Sequence, residues 1–269
     1  MKLHCIPILS ALFTSLVCFS NPATKISDNS PSSGIVIRWN DCEQTIDGFG
    51  IAQAGWAKEL FAFKNRKQVM DKMFGNDGLR LNILRGEIFP HYWENKEDKD
   101  FNLNDDINIE LCDSDFNNKS DDLLRRGQLW LTLEAKNKYH INKLVFSTWS
   151  APAWMKSNGK VSNGKLKPEC YQDFANYLAA FYKAYKSKGI TPYAISPSNE
   201  PGYAAPWNSS LWTADEMGKF ITSNLGPTFQ KENIPAKIIF GENPLWSVVM
   251  PQLKMVSSKD FTDTILHDY

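Results

Sequence analysis

Short apolar runs alternate with longer amphipathic segments from about residue 44 onward, and most of the short runs end in a polar or aromatic cluster. The short runs predict β-strands at 44–49, 79–84, 143–146, 193–195, 237–240 and 264–266. The longer segments have helical periodicity, which predicts helices at 65–74, 123–138, 171–186, 213–231 and 248–256. Thr213 and Glu216 have the spacing of a capping box at the start of one of them. This alternation is typical of an α/β protein with a parallel sheet.

The polar clusters lie just after the predicted strands, where parallel α/β enzymes hold their active sites. Gly48-Phe49-Gly50 follows the first of these strands but lacks the third glycine of a dinucleotide-binding fingerprint. The pattern therefore favours a (β/α)8 TIM barrel over a nucleotide-binding sheet. We count about six strand–helix units where a barrel needs eight. We therefore expect residues 46–269 to form a truncated barrel.

The N-terminal segment has a different composition. Lys2 precedes an apolar run from Ile6 to Phe19, and Cys18 and Ser20 occupy the small-residue positions expected before a cleavage point after Ser20. This predicts a signal peptide over residues 1–20, because the apolar run is short for a membrane-spanning helix. Residues 21–33 predict a flexible lead-in, being rich in Ser, Asn and Pro. We expect a secreted protein, with the periplasm and the cell surface as alternative destinations.

Charge and composition exclude several classes. Thirty basic residues balance thirty acidic ones, so nothing indicates nucleic-acid binding or stable membrane insertion. Cys42, Cys112 and Cys170 have no zinc-like spacing, and we predict neither a metal nor a cofactor. The nine Trp residues suit flat ligands such as sugar rings, although Trp is also common in cores.

The strongest local signal is the segment Tyr193 to Pro201, in which an apolar strand runs into Ser-Pro-Ser-Asn-Glu-Pro. Proline restricts the residue before it to extended geometry. We therefore expect Glu200 to be held extended at a strand tip, with its carboxylate facing a cleft. The alternative is a surface turn that contains a glutamate.

Other candidate side chains follow the remaining strands, and each has a structural alternative. Arg85 suits a carboxylate partner but could be a surface arginine, and Glu87 equally suits a salt bridge. Trp149 and Trp154 suit stacking on a sugar, with core packing as the alternative. The other three candidates likewise have both a functional and a structural interpretation, and they are Tyr203, Trp207 and Glu242.

These segments together resemble glycoside hydrolase family 30, which includes glucosylceramidases, endo-xylanases and β-1,6-glucanases or galactanases. The resemblance covers most of residues 44–269 and is carried by Gly48-Phe49-Gly50, Arg85, Ser147 to Met155, Tyr193 to Pro201, and Phe240-Gly241-Glu242. It implies a TIM barrel with a small side β-sandwich, to which residues 34–45 would contribute a strand.

The resemblance also implies a retaining mechanism with two glutamates. Glu200 would be the general acid/base, and Asn199 would bond to the sugar 2-hydroxyl unless it only caps the backbone. The nucleophile of the family follows the seventh strand and has no counterpart in this sequence. Arg85 would hold that carboxylate ionised.

The remaining expected roles concern the sugar-binding surface. Trp149 would stack on a sugar, Tyr203 and Trp207 would border the leaving-group side, and Glu242 would support the site. His267 and Tyr269, after the sixth predicted strand, would position the nucleophile.

We thus expect a secreted retaining hydrolase of a β-linked glycan, endo-xylanase-like in the first instance. Glucosylceramidase and β-1,6-glucanase or galactanase activities are the alternatives within the family, so the partner is a polysaccharide, an oligosaccharide or a glycolipid. A non-catalytic carbohydrate-binding protein, or an inactive fragment, is the alternative outside it, because the nucleophile strand is absent.

Overall fold

A computed structural model describes residues 38, 40–41, 45–53, 56–91, 93, 95–97 and 127–242. The chain divides into two units, residues 1–45 and 46–269. In the first unit, Arg38 and Asp41 form an exposed ion pair at 3.5 Å. The predicted signal peptide and lead-in, and most of the predicted strand 34–45, lie outside the described residues.

The second unit is built on a parallel sheet whose five described strands follow one another in sequence order. Each strand therefore pairs with the next one along the chain, as in the wall of a barrel. The strands are β1 (Gly50–Ala52), β2 (Ile83–Ile88), β3 (Lys143–Thr148), β4 (Ala194–Ser196) and β5 (Lys237–Ile238).

Helices follow the strands, as the sequence pattern predicts. They are α1 (Ala57–Ala62), α2 (Arg66–Phe74), α3 (Gly127–Tyr139), α4 (Tyr171–Ser187), α5 (Ala214–Phe220) and α6 (Gly226–Lys231). Five π-helical residues, Ile221–Leu225, join α5 to α6. The predicted capping box is confirmed, since Thr213 and Glu216 bond to each other's backbone N–H. Helix α1 was not predicted.

The second strand lies four residues later than its predicted position. The N–H groups of Leu79 and Leu81 donate to carbonyls of α2, those of Lys72 and Met73, at 2.7 and 2.9 Å. These residues therefore close the end of α2, and the strand begins only at Ile83. As a consequence, Arg85, Gly86 and Glu87 lie within β2 and not after it, contrary to the prediction.

The first strand is displaced as well. A strand is predicted at 44–49, but residues 45–49 are not in a strand and β1 begins only at Gly50. The boundaries of the later strands changed less. β3 extends two residues further than predicted, to Thr148, and β5 ends two residues sooner, at Ile238. The predicted helix at 248–256 and strand at 264–266 lie outside the described residues.

The core lies between the sheet and the helices, and α4 is its centre. Phe146 of β3 packs against Phe181 and Tyr185 of α4, with ring centroids 5.1 and 5.0 Å apart. These buried aromatic contacts hold β3 and its neighbouring strands against α4. Cys170, just before α4, is a buried free thiol whose pKa is raised by burial. None of the described helices combines the length and apolar character needed to cross a membrane.

Candidate active site at the carboxyl end of the sheet

Glu200 follows the end of β4 but is not extended. Its φ is +46°, in the left-handed region that non-glycine residues seldom adopt. The prediction of extended geometry, based on Pro201, is therefore wrong. Hydrogen bonds to the neighbouring strand ends hold the turn: Glu200 N–H donates to Glu242 O at 2.9 Å, and Asn199 N–H donates to Thr148 O at 2.6 Å. Such a conformation costs about 1–3 kcal/mol and is common at functional sites.

Arg85 of β2 links the ends of three strands. Its Nη2 donates to Asn199 Oδ1 at 2.6 Å, after β4, and forms an ion pair with Glu242, after β5. Because Asn199 Oδ1 accepts this bond, the Nδ2 group of the same amide is left as a donor. These contacts could not be predicted from the sequence, because Asn199 and Glu242 lie 114 and 157 positions after Arg85 along the chain.

Glu242 is fixed at both carboxylate oxygens. One oxygen meets Arg85, and the other accepts a hydrogen bond from the Ser147 hydroxyl at the end of β3. The two charged side chains of the pair are 22% and 25% exposed, so the pair is largely shielded from solvent yet borders it. In the described residues the carboxylate paired with Arg85 is Glu242, whereas the partner implied by the family resemblance was the nucleophile.

Trp149 lies against the same arginine. The Arg85 guanidinium carbon is 4.5 Å from the centroid of the Trp149 ring, which is a cation–π contact. Trp149 therefore belongs to the cluster of Arg85, Asn199, Glu242 and Ser147, which we call the strand-end cluster.

Trp154 has a different position. Its indole N–H donates to the backbone oxygen of Trp93 at 3.1 Å, and its ring packs against the core. The core-packing alternative therefore describes Trp154 better than the sugar-stacking one.

Tyr203 and Trp207 form an exposed aromatic pair shortly after Glu200. Their rings are 6.2 Å apart in an edge-to-face arrangement, and the residues are 46% and 55% exposed. Tyr203 N–H donates to Glu200 O at 2.8 Å, so the pair is connected to the Glu200 turn. Exposed aromatic rings of this type offer flat surfaces for a ligand.

Glu87 lies in β2, where its backbone N–H and its backbone oxygen both form hydrogen bonds with the side chain of Gln128. Gln128 of α3 accepts from Glu87 N–H at 2.7 Å and donates to Glu87 O at 2.8 Å, and it also donates to the Tyr185 hydroxyl at 2.9 Å. Gln128 is buried, but nothing in the sequence around it distinguishes it from a surface glutamine.

Two further side chains of this region were not singled out as site residues. Ser147 is a small hydroxyl residue at the end of an apolar strand, which is a weak signal that could have found it. Lys156 is 1% exposed, and nothing in its local sequence marks it as buried. The predicted positions of His267 and Tyr269 lie outside the described residues.

The strand-end cluster offers amide, hydroxyl, guanidinium and carboxylate groups at the carboxyl end of the sheet. These groups suit hydrogen bonding to a ligand rich in hydroxyls. In the part of the chain that the structure describes, no group of three or more His, Cys, Asp or Glu side chains could hold a metal ion.

Comparison with known families gives one matching domain. The sequence model of the glycosyl hydrolase family 30 TIM-barrel domain matches residues 46–242. This match confirms the predicted barrel fold and covers all five described strands.

Individual relatives agree with this match. The chain is 28% identical over 237 residues to an endo-1,6-beta-D-glucanase of Neurospora crassa, covering 81% of this chain and 45% of that protein. It is 30% identical over 123 residues to the lysosomal acid glucosylceramidase of Mus musculus, covering 40% and 24%. The catalytic domain of GH30 xylanase C from Talaromyces cellulolyticus superposes with a TM-score of 0.65 at 26% identity, covering 82% of this chain and 52% of that structure.

The chain spans less than half the length of the first curated relatives that it matches. It spans about half the length of the similar solved structures.

Proposed function

Since this chain belongs to glycoside hydrolase family 30, we propose that it carries the acid/base side of a retaining glycosidase site that acts on a β-linked glycan. The observation that carries the proposal is the strand-end cluster, in which Arg85 orients Asn199 beside the Glu200 turn. In this proposal Glu200 is the general acid/base.

The chemistry assigned to Glu200 has two steps. As an acid it would protonate the glycosidic oxygen while the bond to the leaving sugar breaks, and as a base it would then take a proton from water. Because its backbone is left-handed, Glu200 departs from strand geometry at the carboxyl end of the sheet.

Asn199 would serve the sugar that is being transferred. With its Oδ1 engaged by Arg85, its Nδ2 group is available to donate to a hydroxyl next to the reacting carbon. Bonds of this type strengthen in an oxocarbenium-like transition state.

Glu242 is proposed as a supporting residue and not as the nucleophile. Both its oxygens already accept hydrogen bonds, one from Arg85 and one from Ser147. A nucleophilic carboxylate must instead attack the sugar, from a position roughly 5–5.5 Å from the carboxyl group of the acid/base. The family resemblance assigns the nucleophile to a seventh strand, which is not among the described strands. We therefore propose Glu242 as the charge partner that holds Arg85 in place.

For the substrate, we propose an endo-xylanase-like activity first, on the resemblance of residues 193–207 to the xylanase branch. The names of the relatives also include a β-1,6-glucanase and a glucosylceramidase, so these two activities are the alternatives. Secretion through a signal peptide at residues 1–20 remains part of the proposal.

Substitution of Glu200 tests the acid/base role. In a protein that also contains the seventh strand, Glu200→Ala is expected to lower hydrolysis of xylan or β-1,6-glucan by about 10³-fold, because general acid catalysis contributes on the order of 10²–10⁴. Aryl glycosides with activated leaving groups need less protonation and should retain more activity. Initial rates on both substrate types provide the measurement.

The control is Glu169→Ala, which removes an exposed glutamate and should behave like wild type. An equal loss of activity on both substrate types would contradict the acid/base role of Glu200.

Glycan binding without turnover is the second candidate, favoured by the exposed Tyr203–Trp207 pair. Calorimetric binding of xylohexaose, together with the release of reducing ends, separates the two. In a protein that also contains the seventh strand, binding without any release of reducing ends supports the binding protein and contradicts the hydrolase.

A further inference from the structure

Two loops at the carboxyl end of the sheet are joined to each other. We call residues 149–167 the β3 loop and residues 199–212 the β4 loop. Within the β3 loop an antiparallel bridge forms a hairpin, and two further bridges connect this hairpin to the β4 loop. The three bridges pair Lys156 with Leu166, Ser162 with Asn208, and Lys165 with Leu211.

Lys156 lies where the two loops meet. Its ammonium donates to Ser150 Oγ of its own loop at 3.0 Å, and to Ser209 O and Ser210 Oγ of the β4 loop at 2.6 and 2.9 Å. An ammonium has three N–H donors, so all three are used. The residue is 1% exposed, which excludes direct contact with a substrate and means that Lys156 acts through its partners.

Ser209 connects Lys156 to the exposed aromatic pair. While its backbone oxygen accepts from Lys156, its hydroxyl is 2.9 Å from Ala205 O and 3.2 Å from Trp207 O. The β4 loop also closes beside Glu200, since Trp212 N–H donates to the oxygen of the next residue, Pro201, at 2.8 Å. The Lys156 bonds thus fix the part of the β4 loop that presents Trp207.

We propose that Lys156 is a positioning residue, which holds the Tyr203–Trp207 pair in the orientation that binds the leaving-group side of the glycan. This inference rests on the proposed function, because it assigns a role to the aromatic pair within that site. Lys156 contributes no group to the reaction itself.

The first test measures the affinity of the full chain for xylohexaose by calorimetry. Lys156→Met keeps the length and the apolar stem but removes the three donors, and we expect about 10-fold weaker binding. The control Lys165→Met removes an exposed lysine of the same hairpin, which pairs with Glu216 at the surface, and should bind like wild type. Unchanged affinity of folded Lys156→Met would overturn the proposal.

The second test is a double-mutant cycle with Trp207→Ala. If Lys156 acts through the aromatic pair, Lys156→Met should cost affinity when Trp207 is present and almost none when it is absent. A general structural effect would lower affinity by the same factor in both backgrounds, and this additive result would overturn the proposed role.

Hydrogen exchange of the β4 loop separates this inference from the proposed function. In Lys156→Met we expect at least about 10-fold faster exchange at Ser209, Leu211 and Trp212, with the core helices unchanged. If wild type does not bind xylohexaose, the proposed xylan substrate fails, and the exchange result still decides whether Lys156 holds the loop. Unchanged exchange in this segment overturns the inference. Should Lys156→Met not fold, Ser210→Ala removes a single acceptor and serves in the same three measurements.

Discussion

At the scale of single residues, the geometry of Arg85 explains why an arginine and not a lysine suits its position. One planar guanidinium bonds to Asn199, pairs with Glu242 and stacks on Trp149. Both polar contacts are made by one nitrogen, Nη2. A lysine ammonium could reach either partner, but it is a compact point charge and cannot lie over the Trp149 ring as the planar guanidinium does. Arg85 therefore sets the orientation of three neighbours at once.

In a protein that also contains the seventh strand, we predict that Arg85→Lys lowers hydrolysis of an activated aryl β-glycoside by about 10²-fold, because small misplacements of positioning groups cost that much. The melting temperature should change little, since the positive charge is kept. Rates and thermal unfolding of the variant check this, with Arg38→Lys as the control because Arg38 forms an exposed pair. Wild-type rates in Arg85→Lys would show that the planar guanidinium is dispensable.

Lys156 makes a second prediction at this scale, which concerns pH. Burial lowers the pKa of its ammonium from 10.5 to about 8. Between these values the unfolded chain binds more protons than the folded one, so the contribution of Lys156 to stability rises with pH across this window and is constant below about 8. The rise is at most about 3 kcal/mol.

Denaturant unfolding at pH 7.5, 8.5 and 9.5 checks this prediction. Wild type should gain stability relative to Lys156→Met as the pH rises, whereas the difference between wild type and Lys165→Met should stay constant. A constant difference for Lys156→Met would mean that the buried amine does not titrate in this range.

At the scale of elements, the position of β2 depends on a glycine. A Cβ at Gly86 would lie 2.7 Å from a ring carbon of Phe146 and 2.8 Å from Gln128 Oε1. Neither neighbour can move freely, because Phe146 packs against α4 and Gln128 is bonded to Glu87 and Tyr185. The strand can therefore approach β3 and α3 only where no side chain intervenes.

We predict that Gly86→Ala lowers the free energy of unfolding by about 1–3 kcal/mol through overpacking. It should also reduce glycan affinity, because Arg85 is the preceding residue of the same strand. Urea unfolding and calorimetry provide the two measurements. In Gly159→Ala the new methyl group meets no atom within 4 Å, so this control should lose only about 1 kcal/mol from its left-handed backbone and bind normally. An unchanged affinity in folded Gly86→Ala would argue against coupling between β2 position and the site.

At the scale of the whole molecule, resistance to acid depends in part on a contact between two helices. Asp71 of α2 accepts from Lys67 and from the Tyr139 hydroxyl of α3, each at 2.7 Å. The hydrogen bond from Lys67, followed by that from Tyr139, lowers the pKa of Asp71 from 3.8 to about 2. A lowered carboxyl pKa stabilises the fold above about 3.8, and this stabilisation is lost as the pH falls through about 2.

We therefore predict that Asp71→Asn melts at a lower temperature than wild type at pH 7, and that the difference shrinks between pH 4 and pH 2. Calorimetric melting at pH 7, 4, 3 and 2 checks this, and Asp77→Asn, at an exposed position nearby, is the matched control. A difference that stays the same down to pH 2 would assign the effect to something other than the Asp71 charge.

Much of the architecture could be predicted because it follows from local pattern. The Thr213 capping box and helix α4 are dictated by short-range hydrogen bonding and by apolar spacing. The start of β2 could not be predicted, because residues 79–81 look like strand yet close the end of α2. The conformation of Glu200 was likewise decided by bonds to Thr148 and Glu242 from distant parts of the chain.

The sequence by itself determined the order of strands and helices, because this order depends on neighbours along the chain. Only the tertiary structure decided which residues meet at the strand ends. Arg85 selects Asn199 and Glu242, and Lys156 joins two loops, since these contacts form only when parallel strand ends come together at one edge of the sheet.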